Sequence, residues 1–132
     1  MLRLMVKARL HPTKAELVIL RVLWTEGPLS VRAVQNILNE SKETGYTSVL
    51  KTMQIMTDKG LVDRDESTRS HVYRARLPQA ETQKQLVGDL LDKAFAGSAA
   101  RLVMSALSHT PASRAELEQI KRLLDKMEGD KP

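Results

Sequence analysis

Apolar positions in the first third of the chain recur at helical spacing. Leu17, Leu20, Leu23 and Trp24 fall on one face, so a helix with one buried side is predicted there. Thr13-Lys14-Ala15-Glu16 marks its start as a capping box: the Thr hydroxyl accepts the fourth residue's amide, and Glu16 reaches back. Gly27-Pro28 ends the helix. Leu29 falls in a short extended segment, and Ser30 is a good N-cap for a second helix whose Val34, Ile37 and Leu38 face inward. A third helix is predicted over residues 46–59. Tyr46, Val49, Met53 and Met56 cluster on one side of it, and Thr47, Lys51, Gln54 and Asp58 on the other, with Ser48 and Ile55 at the flank. Gly60 suits the left-handed position after a helix.

The period then changes. Leu61-Val62 begins a strand, residues 71–76 form its partner, and Glu66-Ser67-Thr68-Arg69-Ser70 is the polar tip between them. Pro78 closes this unit, and the pattern returns to helix over residues 79–96, with Leu86, Leu90, Leu91 and Phe95 on one stripe. Gly97-Ser98 breaks it, and a short helix carrying Leu102, Val103, Ala106 and Leu107 follows. After Thr110-Pro111, Ser113-Arg114-Ala115-Glu116 is a second capping box, ahead of Leu117, Ile120, Leu124 and Met127 at spacings of 3, 4 and 3. The expected fold is mostly α with a small β-hairpin: a winged helix-turn-helix domain over residues 1–77, then a helical dimerisation domain over residues 78–132. Three short amphipathic helices cannot build a core alone. A second copy supplies the missing apolar surface most simply, as a two-fold homodimer; folding back on the N-terminal domain as a monomer is the alternative.

Charge sharpens this division. Residues 1–77 carry 13 Lys+Arg against 8 Asp+Glu, and residues 78–132 carry 8 against 8. The whole excess of +5 therefore lies in the half with the hairpin, where it favours a polyanion; a basic surface serving solubility alone is the plainer reading. Aromatic residues are few (Trp24, Tyr46, Tyr73 and Phe95), which argues against base stacking on single strands. The absence of cysteine removes disulfides, thiolate metal sites and thiol chemistry, and fits a reducing cytoplasm. His11, His71 and His109 are isolated, so neither a metal nor a cofactor is expected. No nucleophile elbow, phosphate loop or zinc-protease motif occurs, and Asp63, Asp65 and Glu66 read as a solvated hairpin edge, so no enzyme is expected. The basic N-terminus, MLRLMVKARLHP, lacks the apolar core of a signal peptide and is too short to span a bilayer. Its first residues read as a loose arm, with Met1 or Met5 as the start, and residues 129–132 as a frayed tail.

The major groove of double-stranded DNA admits one α-helix. Such a helix buries one side in its own domain and presents short polar or basic side chains on the other. Thr47, Ser48, Lys51 and Gln54 meet that requirement: Lys suits guanine or phosphate, Gln suits adenine, and Thr or Ser suits phosphate or a thymine methyl. Thr44 and Gly45 lie at the helix N-terminus, whose amides attract phosphate. In the hairpin, Arg69 near the tip is the candidate for the backbone or minor groove. Arg64, Arg74 and Arg76 are weaker candidates, since Arg74 or Arg76 can pair with Asp63 or Asp65. Taken singly, the polar helix face is equally a solvated one; hairpin, element order and charge together favour DNA. A winged helix used for protein–protein contact is the alternative.

These residues in this order resemble the penicillinase-repressor family of bacterial transcriptional regulators. The similar features are Ala15-Glu16 and Leu23-Trp24 in the first helix, Tyr46-Thr47-Ser48-Val49 opening the third, Lys59-Gly60-Leu61-Val62 at its exit, and Val72-Tyr73 in the wing. Phe95-Ala96-Gly97-Ser98 and Leu102-Val103-Met104 are similar to that family's dimerisation region. The resemblance implies a homodimeric repressor on a palindromic operator, with groove contacts at Thr47, Ser48 and Lys51 and a dimer held by the C-terminal helices; the apolar stripes of those helices offer Leu86, Leu90, Leu91, Phe95, Leu102, Leu117, Ile120 and Leu124 as the pairing residues. Copper-responsive relatives carry a cysteine motif near the C-terminus, and this chain has none, which sets it apart from them. In antibiotic-responsive relatives a sensor-linked protease is tied to cleavage at an Asn-Phe bond. Its counterpart here is Ser105-Ala106, so the residues differ at the place where a protease partner would act.

Overall fold

Each helix begins and ends where local chemistry satisfies its terminal backbone groups. The computed structural model describes residues 11–130. Among them run α1 (Lys14–Glu26), β1 (Leu29–Ser30), α2 (Val31–Asn39), α3 (Tyr46–Lys59), β2 (Val62–Asp65), β3 (Val72–Ala75), α4 (Gln79–Ala94), α5 (Ala99–His109) and α6 (Arg114–Gly129). The fold is mostly helical with a small antiparallel sheet, as the hydrophobic pattern predicts. The N-terminal arm, the choice between Met1 and Met5, and the last two residues of the tail lie outside the described residues.

Both predicted capping boxes form. Thr13 accepts from the Glu16 amide while the Glu16 carboxylate accepts from the Thr13 amide, and Ser113 and Glu116 repeat this at α6. Ser30 caps α2 through the Ala33 amide at 3.2 Å. Gly60 ends α3 in the left-handed region (φ 83°, ψ 16°). There Leu61 N–H donates to Met56 O at 2.9 Å and Gly60 N–H to Thr57 O at 3.1 Å, the paired bonds of a Schellman motif. A Cβ at that φ is strained, so Gly60→Ala should cost about 1–2 kcal/mol; urea denaturation followed by circular dichroism measures it, and an unchanged midpoint would contradict the assignment.

The hairpin is part of a three-stranded sheet in the order β1-β3-β2. Val62 pairs with Ala75, Asp63 with Arg74, Arg64 with Tyr73 and Asp65 with Val72. Leu29, expected only to be extended, pairs with Tyr73 and makes β3 the central strand. β2 starts at Val62 because the Leu61 amide is already committed to the end of α3.

One core joins these elements. Ile19, Leu20 and Leu23 of α1 meet Val31 and Val34 of α2, Val49, Met53 and Met56 of α3, and Leu61, Val62 and Tyr73 around the sheet. Two expectations need correction. Ile19 is buried, whereas Leu17 and Trp24 are half-buried at the margin. Tyr46 has the angular position of the α3 core face but is 37% exposed, because the first helical residue projects past the end of the core. Trp24 instead uses its indole, donating Nε1–H to Leu77 O at 3.0 Å.

Glu16 is buried to 3% exposure, and its carboxylate holds more than the cap. Oε1 accepts from Thr13 N–H at 2.8 Å and from Lys59 Nζ at 2.6 Å. The first residues of α1 and the last of α3 thus share one anion.

The chain divides into two compact units, the first through Leu86 and the second from Val87, with the boundary inside α4. All of the core just described is in the first. Among the described residues of the second, none is buried.

Candidate nucleic-acid interface

The entry to α3 is fixed by side chains of α2. Asn39 Oδ1 accepts from Thr44 N–H at 2.6 Å, and Gln35 Nε2 donates to Thr44 O at 3.1 Å. Thr44 Oγ1 donates to Lys42 O at 2.9 Å, closing the turn. Gly45 then occupies the N-cap with extended dihedrals and no side-chain cap. The first-turn amides of α3 are therefore left to solvent or to an anion.

From this start the helix separates its two sides. Val49, Met53 and Met56 are buried, while Thr47, Lys51 and Gln54 are exposed on the side away from the core and Ser48 is exposed at the flank. No intramolecular hydrogen bond or ion pair among the described residues engages the side chains of Thr47, Lys51 or Gln54. Ile55 adds an exposed apolar group at the flank, 44% exposed. Asp58 is exposed further along the helix, where its carboxylate would repel a phosphate.

The wing arginines differ in how far they are already engaged. Arg64 pairs with Glu66, and a hydrogen bond to Tyr73, reinforced by Glu66, raises its pKa above the ordinary value. Arg76 donates through Nε at 3.0 Å and Nη2 at 2.7 Å to Asp63 Oδ1, which is the pairing foreseen for Arg74 or Arg76. Exposed pairs of this kind contribute little to stability. Hydrogen bonds from the Ser67 hydroxyl and amide hold Asp65 below its ordinary pKa, with Arg74 adding to the effect. Arg69 is exposed at the tip, beside a turn closed by Thr68 Oγ1 donating to Ser70 O at 2.6 Å, and no acid among the described residues engages it. Helical geometry brings Thr47, Lys51 and Gln54 onto one face with Ser48 at its edge, whereas Arg69 lies in the hairpin tip.

An open groove of about 630 Å³ lies along α1, the end of α2 and the start of α3. Val18, Val22, Ile37 and Leu38 give it an apolar wall, and its ionisable lining groups, Arg21, Glu26 and Lys42, are all exposed. Nothing there holds a desolvated acid or base of the kind catalysis needs. Among the described residues, no group of three or more His, Cys, Asp or Glu is placed to hold a metal ion. No helix among them is long and apolar enough to cross a membrane.

In the second unit the predicted stripes are visibly uncovered. Leu90 is 48% exposed, Leu117 41% and Leu124 53%, while Leu91, Phe95, Leu102 and Ile120 are half-buried. Leu86, half-buried, is the last residue of the first unit. Val87, Val103, Met104, Leu123 and Met127 extend the exposed apolar surface. Ser105 and Ala106 are exposed but lie within α5.

A family model described as penicillinase repressor matches residues 12–126. No curated protein matches the chain.

Proposed function

Because the chain belongs to the penicillinase repressor family, a family of transcriptional repressors and not of enzymes, we propose that it binds a palindromic operator as a homodimer. In this reading residues 1–77 are the DNA-binding domain and residues 78–132 the dimerisation domain. α3 enters the major groove, and Thr47, Ser48, Lys51 and Gln54 face the base edges and flanking phosphates. The hairpin lies on the adjoining backbone, with Arg69 as its contact. The observation that carries this is the exposed polar face of α3, unengaged at Thr47, Lys51 and Gln54 and backed by buried Val49, Met53 and Met56. Pairing is supported by the second unit, where large apolar side chains stand exposed and none of the described residues is buried. Two half-sites then lie about one helical turn, or a multiple of it, apart. The setting is the bacterial cytoplasm. A sensor-linked protease is the release route that family membership brings forward; since Ser105 and Ala106 are helical, cleavage there requires α5 to open locally.

Operator titration tests the reading. Lys51→Ala should weaken specific binding by about 1–3 kcal/mol if the ammonium reads a base. Affinity should also fall steeply with salt as counterions are released. An unchanged operator affinity for the variant removes Lys51 from the interface. Failure of the wild type to select the DNA upstream of its own gene over competitor DNA favours a protein–protein module.

A further inference from the structure

Arg32 stands beside the interface without being one of the groups assigned to it. It belongs to the first turn of α2, and its guanidinium carbon sits 4.3 Å from the centroid of the Tyr46 ring at the start of α3. Nη1 donates to Gln35 Oε1 at 2.8 Å. Gln35 in turn donates to Thr44 O at 3.1 Å, and the Thr44 amide is held by Asn39. The guanidinium is therefore posed from two directions, by an aromatic face on α3 and by an amide anchored to the turn that leads into α3.

Its charge remains unspent. Arg32 is exposed, and no acid among the described residues pairs with it, in contrast to Arg64 and Arg76 of the wing. A guanidinium has five N–H donors in a planar fork, and Gln35 takes one. The fork suits two oxygens of one phosphate, and fixing it in advance reduces the conformational entropy lost on contact. In a helix-turn-helix, the helix before the recognition helix crosses the DNA backbone; Arg32 is on that helix.

We propose that Arg32 is a DNA-phosphate contact of this chain, its pose set by Tyr46 and Gln35. The proposal deepens the DNA-binding reading above and rests on it. It gives Tyr46, displaced from the core, a positioning part: the ring orients the fork that grips the backbone flanking the groove.

The test measures affinity for the operator and for random duplex DNA across a salt series, with the full-length wild type, Arg32→Ala, Arg32→Gln and Arg32→Lys. Loss of one phosphate contact should lower the slope of log affinity against log salt by about 0.9 in the Ala and Gln variants. Both DNAs should weaken by a similar factor, with the slope kept in Arg32→Lys. Because Arg32→Gln keeps polar reach without charge, it carries the comparison if the Ala variant proves unstable. A wild type that binds, with unchanged slopes in Arg32→Ala or Arg32→Gln, overturns the Arg32 assignment alone. Weakened operator binding with intact random-DNA binding also overturns it, in favour of base reading. A wild type that binds neither DNA overturns this proposal and the reading beneath it together.

Discussion

Glu16→Ala is expected to lower the stability of the N-terminal unit by about 2–3 kcal/mol. Removing one partner of a buried ion pair typically costs about 3–5 kcal/mol, since the other charge is left without compensation. The lower figure applies because the Lys59 side chain is 23% exposed and can recover some hydration. The Thr13 amide loses its acceptor at the same time. Glu16→Gln separates the two effects: a Gln serves a capping box, so the amide bond survives while the charge pairing is lost, and a smaller decrease should follow. Urea midpoints for the two variants decide the matter. A Glu16→Ala protein within about 0.5 kcal/mol of wild type, the usual range for a neutral surface change, would show that the shared carboxylate does not hold α1 and α3 together.

Leu90→Asp combined with Leu124→Asp should convert the protein to monomers and reduce operator affinity by a factor of about 10²–10⁴, the advantage that linking two binding units brings. Both side chains are about half exposed within one chain, at 48% and 53%, so each carboxylate remains hydrated in a monomer. In a dimer the same carboxylates would be desolvated against apolar partners, a large penalty. The N-terminal unit should stay folded in the variant, because none of its core residues has been altered. Sedimentation equilibrium reads the assembly state, and a double variant that remains dimeric would rule out these stripes as the pairing surface.

Local signals in the sequence identified most element boundaries. Thr13 and Ser113 cap their helices with Glu16 and Glu116, Gly60 is left-handed, and Val49, Met53 and Met56 are buried. These depend on residues within a turn or two of one another. What escaped depends on partners distant along the chain. Glu16 was legible as a cap but not as the anion for Lys59, 43 positions away. β1 has two residues, too few for an alternating pattern to register, so its pairing with β3 emerged only in the fold. Tyr46 shows another limit: helical periodicity fixes the angle of a side chain about the axis but not whether the core extends to that level of the axis.

For the candidate interface, the exposed face of α3 could be read from angle alone. Which wing arginines are already bound to acids could not, because the Arg76–Asp63 pair depends on strand register. Arg32 carried no sequence signal either, since its meeting with Tyr46 depends on how α2 and α3 pack. In the second unit the helical stripes were legible, yet Leu123, 57% exposed, falls outside the predicted stripe and joins the uncovered surface all the same.

The bond from the Trp24 indole to the Leu77 carbonyl has a practical consequence. Trp24 is the only tryptophan in the sequence, and it belongs to the unit that contains the buried core. Its emission is therefore an intrinsic optical reporter of that unit, while far-ultraviolet ellipticity sums the helices of both. Recording the two signals through one denaturation separates melting of the half proposed to read the groove from loss of the half proposed to pair, without a dye or an introduced label.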